Sequence, residues 1–174
     1  FLTLIVSIFG FASLITAASG SAKMSVTGPT SGFVGKNITV KIRVSDIVGK
    51  KITGTAGELI YDKSALQFVS ATGMTSPYSI SYSDASNMFA GFSTTGVGYG
   101  NAQDVLTLIF KPLKAGSTTI NVTPDLSDES DNAPTTTAQS LTINITNAST
   151  DAWLTNLVTD TGTLSPSFNK DTTE

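Results

Sequence analysis

Cysteine and histidine are both absent from this chain of 174 residues. Without cysteine there are no disulfide bonds, no thiol catalysis and no zinc–thiolate sites. Without histidine the chain lacks the side chain that titrates closest to neutral pH, which is also the commonest metal ligand. The fold must therefore be held by its core alone, and two residue types that often act in catalysis are missing.

Charged side chains are scarce as well, at 13% of the residues, with ten basic and thirteen acidic groups and a net charge of −3. The sequence contains no basic stripe, which makes nucleic acid a poor partner. An enzyme would need a nucleophile with a base, or two carboxylates lining a cleft. Acidic residues cluster only in one polar segment, 125–131, so we expect a protein that is neither an enzyme nor a nucleic-acid binder.

Residues 1–18 are apolar and uncharged, and small residues follow from Ala17 to Ala22 before the first charge at Lys23. This is the pattern of a signal peptide cleaved after Ala18 or Ala22. We expect residues 1–22 to be such a peptide, truncated at its own start, and the rest to be secreted. The alternative is a retained anchor, since a run of this length nearly spans a bilayer.

The clearest strand pattern covers residues 37–47, where Ile38, Val40, Ile42 and Val44 alternate with polar residues. Such alternation is typical of a half-buried antiparallel strand. Further short strands, separated by turn residues, bring the total to eight or nine, which predicts an all-β sandwich of two sheets. Two segments, 94–103 and 125–137, are predicted as loops.

Residues 58–70 form the most informative segment. Leu59 and Tyr61 share one side of a predicted strand, and Leu66 resumes the alternation after a polar connector. Asp62 is well placed to brace that connector through its side chain. The segment predicts two strands joined by a short turn.

A set of features taken in order resembles the cohesin family: Val26, Ile38–Val44, Leu59-x-Tyr61-Asp62-x-x-x-Leu66, Gly73, the segment Leu106–Lys111 and Ala115-Gly116. The resemblance covers residues 23–147. It implies a nine-stranded β-sandwich with jelly-roll topology, related in fold to family 2 and 3 carbohydrate-binding modules. It also implies docking of dockerin-bearing proteins onto scaffold or cell-surface proteins, often in the degradation of polysaccharides.

The same resemblance indicates where a partner would bind. In dockerin-binding cohesins the strand before the Tyr-Asp pair carries outward Asn and Asp residues, and the matching positions here are Gly54 and Ala56. Tyr82-Ser83-Asp84 resembles the next contact region. The partner-binding residues predicted in this way are Ala56, Tyr78, Tyr82, Asp84 and Asn87. The alternative for Tyr78 and Tyr82 is a place in the core, because they lie at strand spacing.

Four acidic residues, Asp125, Asp128, Glu129 and Asp131, are candidate calcium ligands, since carboxylates suit that ion. Their spacing departs from the EF-hand pattern, so a solvated loop is the alternative. We expect no other cofactor. Four Asn-x-Ser/Thr triplets would matter only in a glycosylating secretory pathway, and they begin at Asn37, Asn121, Asn144 and Asn147.

After a small polar linker, 148–152, strand-like patterning restarts over residues 153–174, too few to bury a core. The tail resembles the start of a cadherin-like β-sandwich repeat of bacterial surface proteins, in the residues Leu154, Leu157, Gly162, Leu164, Ser165, Pro166 and Phe168. We interpret the tail as the first hairpin of a truncated module.

Together these features favour a secreted, non-catalytic protein–protein attachment module of a scaffold or cell-surface protein. One alternative is a carbohydrate-binding module that stacks sugars on exposed aromatic residues such as Tyr78, Tyr82 or Tyr99. The other is a structural spacer, for which the small residues Gly54 and Ala56 are an argument.

Overall fold

The computed structural model describes residues 20–97 and 101–148. Every regular element in these two stretches is a β-strand, and neither stretch holds a helix of the length and apolarity needed to cross a membrane. The strands are β1 (Ser21–Thr27), β2 (Ser31–Phe33), β3 (Ile38–Val48), β4 (Ile52–Ile60), β5 (Leu66–Gly73), β6 (Ser79–Ser83), β7 (Met88–Val97), β8 (Gln103–Pro112), β9 (Gly116–Asp128), β10 (Thr135–Gln139) and β11 (Leu141–Thr146).

The strands form two sheets that pack face to face. The five-stranded sheet has the order β10-β1-β3-β8-β5, and the six-stranded sheet has the order β2-β11-β9-β4-β7-β6. The expected all-β sandwich is confirmed. Eleven strands are present among the described residues, where nine were expected. Near each end the chain crosses from one sheet to the other, between β1 and β2 and between β10 and β11, and each crossing divides the segment into two strands.

The core follows from the alternation in the sequence. On β3, Val40, Ile42 and Val44 are fully buried, whereas Lys41 and Arg43 between them are exposed. Phe110 and Leu108 of β8 pair with Ile38 and Val40 of β3 and point into the same interior. The six-stranded sheet supplies the opposite wall, which includes Leu59, Phe89, Ile120 and Ile143.

The two terminal stretches run side by side and in parallel. Ser21 of β1 lies opposite Thr135 of β10, and Ser31 of β2 lies opposite Asn144 of β11. The sequence offset between the paired residues therefore hardly changes while the two stretches cross from one sheet to the other. At the crossing a Cβ on Gly28 would lie 3.0 Å from the carbonyl oxygen of Thr39 and 3.1 Å from the Leu141 side chain, so glycine permits the close approach.

Three boundaries differ from the sequence-based expectations. The segment predicted as a loop over 125–137 is partly strand, because β9 continues to Asp128 and β10 begins at Thr135. Likewise β7 continues to Val97 within the predicted loop 94–103. The first strand begins at Ser21, inside the expected signal peptide. Residues 1–19, Tyr99 and the linker and tail from residue 149 onward lie outside the described residues.

The connector between β4 and β5 has the expected brace. A carboxylate oxygen of Asp62 accepts hydrogen bonds from the Ser64 backbone N–H (2.8 Å) and the Ser64 hydroxyl (2.6 Å). The second oxygen lies 3.2 Å from the Lys114 ammonium. The predicted structural role of Asp62 is confirmed.

Candidate functional site

The outer face of β4, β6, β7 and β9 is flat because small residues meet there across the strands. Ala56 of β4 lies between Ala90 of β7 and Asp125 of β9. In the neighbouring row Gly54 lies between Phe92 and Ser127. The outward residues of β6 are all serines. We call this surface the small-residue face, and Ala56 is half-buried at its centre.

Three large apolar side chains stand out from the small-residue face. Phe92 is 59% exposed, Met88 is 52% exposed and Ile60 is 50% exposed. Met88 and Phe92 lie four residues apart on β7, which separates their Cα atoms by roughly 13 Å. Ile60 ends the adjacent strand β4, one row beyond Met88. These three residues, which we call the apolar ridge, make a line along the face.

One end of the small-residue face is bounded by the turn from β6 to β7. Asn87 in this turn has a left-handed backbone with φ of 55°, and its carbonyl accepts a hydrogen bond from the Leu59 N–H (2.9 Å). Asp84 is exposed there, with a carboxylate oxygen 3.4 Å from the Tyr61 hydroxyl. Of the predicted partner-binding residues, Ala56, Asp84 and Asn87 therefore lie on the small-residue face or at its edge.

The two tyrosines predicted for this surface lie elsewhere. Tyr78 has 0% of its surface exposed, and its hydroxyl donates a hydrogen bond to the carbonyl of Ile52. Tyr82 is half-buried with its ring centroid 5.1 Å from that of Phe68. Burial, together with the neighbouring Tyr61, raises the pKa of the Tyr82 hydroxyl. Both rings pack against the core, which was the alternative for these two residues, because Tyr78, just before β6, and Tyr82, within it, lie on the inward side of this segment.

The acidic candidates do not converge on a metal position. Asp125 points outward from β9, whereas Asp128 is fully buried. A carboxylate oxygen of Asp128 accepts from the backbone N–H groups of Ser130 (2.7 Å) and Asn132 (3.1 Å), and the other lies 3.7 Å from the Lys50 ammonium. Within residues 20–97 and 101–148, no group of three or more acidic side chains is arranged to hold a metal ion.

These contacts also set the ionisation of Asp128. Burial acts to raise the pKa of its carboxyl group, but the backbone N–H groups of Asn132 and Ser130 and the Lys50 ammonium outweigh it, so the pKa is lowered. The carboxylate form is thus favoured, and groups of the protein itself balance its negative charge.

Exposed aromatic side chains do not form a row on the described surface. The two exposed phenylalanines, Phe33 and Phe92, lie on β2 and β7 of the same sheet, with three strands between them. That separation is roughly 19 Å at the usual strand spacing. A platform of coplanar rings, which would stack on a sugar chain, is not formed by these residues.

The residues that the sequence reasoning missed are Ile60, Met88 and Phe92. The alternation in 88–93 places Met88, Ala90 and Phe92 on one side and Phe89 on the other. Both sides carry large apolar residues, so alternation alone does not say which side faces the core. The pairing of Ala56 with Ala90 settles the question, and that pairing is visible only in the fold.

Comparison with known proteins gives a consistent set of matches. Residues 22–146 match the family model described as "Cohesin domain". No curated protein sequence matches the chain. Among solved structures, the fold is similar to a cohesin module from a Clostridium perfringens family 33 glycoside hydrolase, with TM-score 0.63 and 10% identity, covering 75% of this chain and 99% of that module.

Two further solved structures have the same fold. A non-cellulosomal cohesin from the archaeon Archaeoglobus fulgidus aligns with TM-score 0.59 and 13% identity, covering 78% of this chain and 97% of that one. The sixth cohesin of scaffoldin B from Acetivibrio cellulolyticus, solved in complex with a Cel5 dockerin mutant, aligns with TM-score 0.55 and 14% identity, covering 71% and 99%.

Proposed function

This chain belongs to the cohesin family of protein–protein attachment domains, and we propose that the small-residue face is the surface by which it holds a protein partner. The observation that carries the proposal is the apolar ridge of Ile60, Met88 and Phe92, which stands exposed on a flat floor of glycine, alanine and serine. We propose further that the domain works outside the cell, as its signal-like N-terminal segment suggests, and that it performs no catalysis.

The ridge and the floor have complementary roles in binding. Large apolar side chains exposed together mark a surface that a partner covers. Burying one such side chain contributes about 1.5–3 kcal/mol, so Met88 and Phe92 supply the main driving force. Gly54, Ala56 and Ala90 form the floor beside these large side chains, and their small size lets the partner's backbone approach closely.

A dockerin-bearing protein is the partner class we propose. The Acetivibrio cellulolyticus cohesin was solved with a dockerin, which supports this choice by likeness of fold. In place of the polar anchors expected in dockerin-binding cohesins, this chain has Gly54 and Ala56, so hydrophobic contacts must supply the attachment. Two acidic side chains, Glu58 and Asp125, point outward beside the ridge and suit a partner with basic groups at the rim.

The proposal is tested by measuring the binding of the purified chain to dockerin-bearing proteins secreted by the source organism. Replacing Met88 and Phe92 together by serine should weaken binding by about 100-fold, as expected for two central apolar contacts. Neither side chain belongs to the core, so the melting temperature should stay close to that of the wild type.

The matched control is Val69→Ser on β5 of the other sheet. Val69 is also a large exposed apolar residue, at 46%, but it lies away from the small-residue face. The control should bind like the wild type. Equal affinity of the double variant and the control would contradict the proposal.

A further inference from the structure

The outer face of the five-stranded sheet carries a stripe of positive charge, although the sequence shows no basic run. We propose that this stripe binds an anionic polysaccharide, one that bears carboxylate or phosphate groups. The stripe consists of four basic side chains, Lys23, Lys41, Arg43 and Lys111, and we call it the basic stripe.

The register of the strands brings these four residues to one face. Lys41 and Arg43 point outward from β3 in its exposed positions. Lys23 of β1 lies opposite Ser45, the next outward residue of β3. Lys111 lies on the outward side of β8, two positions beyond Ile109, which pairs with Thr39. The stripe therefore crosses the sheet diagonally from β1 to β8.

Its length suits a polymer. From the row of Ser45 to the row of Lys111 the strands advance by eight residues, which corresponds to roughly 26 Å. Cations spaced over such a length meet several charges of a linear polyanion at once. A small anion would engage only one or two of them.

Two acids lie in or beside the stripe among the described residues. Asp46 is exposed on β3 next to Ser45, and Asp104 lies within the stripe. The Asp104 carboxylate is 2.9 Å from the Lys41 ammonium and 3.6 Å from the Arg43 guanidinium. All three side chains are partly exposed, so these ion pairs are screened and leave the cations accessible. Asp104 thus lowers the charge of the stripe without closing it.

The surroundings of the basic stripe are rich in hydrogen-bonding groups. Hydroxyl and amide side chains point outward beside it, which suits the hydroxyl groups of a sugar chain. They are Thr27, Thr39, Ser45, Gln67, Thr72, Thr107, Thr135, Thr137 and Gln139. The small-residue face on the opposite side carries the acids Glu58 and Asp125 instead, so the two faces of the sandwich differ in charge.

A flat polar sheet also argues against insertion into a membrane. Peripheral membrane binding uses apolar side chains that enter the lipid as well as basic ones. On this sheet Val48 and Val69 are exposed, but Val48 lies at the end of β3, past the row of Lys23, and Val69 lies on the edge strand β5. Ile109, which lies beside the stripe, is half-buried between Thr39 and Ser70. A hydrated, extended polyanion fits these properties better than a lipid surface.

The test measures binding of the purified chain to immobilised polygalacturonate and dextran phosphate, with neutral dextran as the uncharged polymer. Lys111→Gln should weaken binding about fivefold, and Lys23→Gln with Lys111→Gln about 25-fold, from the contribution of one cation beside an anionic surface. Asp104→Asn should strengthen binding up to about fivefold for the same reason. Affinity should fall as NaCl is raised, because salt screens exposed charges.

The matched control is Lys63→Gln, an exposed lysine in the β4–β5 connector that lies away from the basic stripe. It should leave affinity unchanged, and an unchanged melting temperature should accompany each variant. Equal losses with Lys63→Gln and Lys111→Gln, equal binding to dextran, or weaker binding with Asp104→Asn would overturn the proposal. So would binding to phosphatidylglycerol vesicles without binding to either polymer, or salt-sensitive self-association that Lys111→Gln abolishes while neither polymer is retained.

Discussion

The hydroxyl of Tyr78 donates a hydrogen bond to the backbone carbonyl of Ile52, 26 positions earlier in the chain. The bond lies inside the sandwich and ties the entry of β6 to the start of β4. Burial raises the pKa of this hydroxyl, so it stays protonated and remains a donor. Tyr78 therefore supports the six-stranded sheet from the core side, with none of its surface exposed.

Removing this hydroxyl should cost stability and leave binding unchanged. Tyr78→Phe keeps the ring but leaves the Ile52 carbonyl without this buried donor, which should lower the free energy of unfolding by about 1–2 kcal/mol. Urea denaturation measures this difference. The matched control is Tyr82→Phe, because the Tyr82 hydroxyl is buried without a hydrogen-bond partner, and its removal should cost much less. A larger loss for Tyr82→Phe would contradict this account.

The carboxyl group of Asp62, in the connector between β4 and β5, should have a pKa far below the usual range for aspartate. The Ser64 hydroxyl lowers the pKa of Asp62 most, followed by the Ser64 backbone N–H and Lys114, and it reaches about 2. Because the folded-state pKa is depressed, the stabilising effect is complete above about pH 4 and disappears as the pH falls through the folded value. Ser64→Ala should raise the pKa of Asp62 towards the ordinary value of about 3.9, as followed by NMR titration of its carboxyl carbon.

Lys114→Gln is the comparison for that measurement. Lys114 contributes less than Ser64, so its replacement should raise the pKa of Asp62 by a smaller amount. A larger shift with Lys114→Gln would show that the ion pair, rather than the serine, controls the connector.

Calcium should not change the stability of the sandwich. The Asp128 carboxylate is already engaged by two backbone N–H groups and lies beside the Lys50 ammonium. The melting temperature should therefore be equal in EDTA and in millimolar calcium chloride, while Asp128→Asn should lower it in both. An increase with calcium in the wild type that Asp128→Asn abolishes would restore the calcium site expected from the sequence.

Much of the fold could be predicted from the sequence because period-2 patterns are strong where one face is buried. Ile38 to Val44 gave β3 correctly, and the Leu59–Leu66 segment gave two strands and a braced turn. By contrast, β10 was missed. Its residues Thr135–Gln139 are mostly exposed at the edge of a sheet, so they show no apolar alternation.

The candidate site was harder to predict because alternation fixes which residues share a side but not which side is inside. Tyr78, Ile80 and Tyr82 do share one side, as their spacing indicates, and that side faces the core. Met88 and Phe92 also share one side of their strand, but that side is exposed to solvent. The basic stripe likewise depends on the register between β1, β3 and β8, which separate stretches of sequence do not display.

The parallel pairing of the terminal strands determines how the domain responds to tension. A pull applied at Gly20 and at Asn147 draws β1 and β11 apart along their own length, towards opposite ends of the sandwich. The hydrogen bonds between β1 and β10 and between β2 and β11 are then loaded together in shear, rather than opened one after another like a zipper.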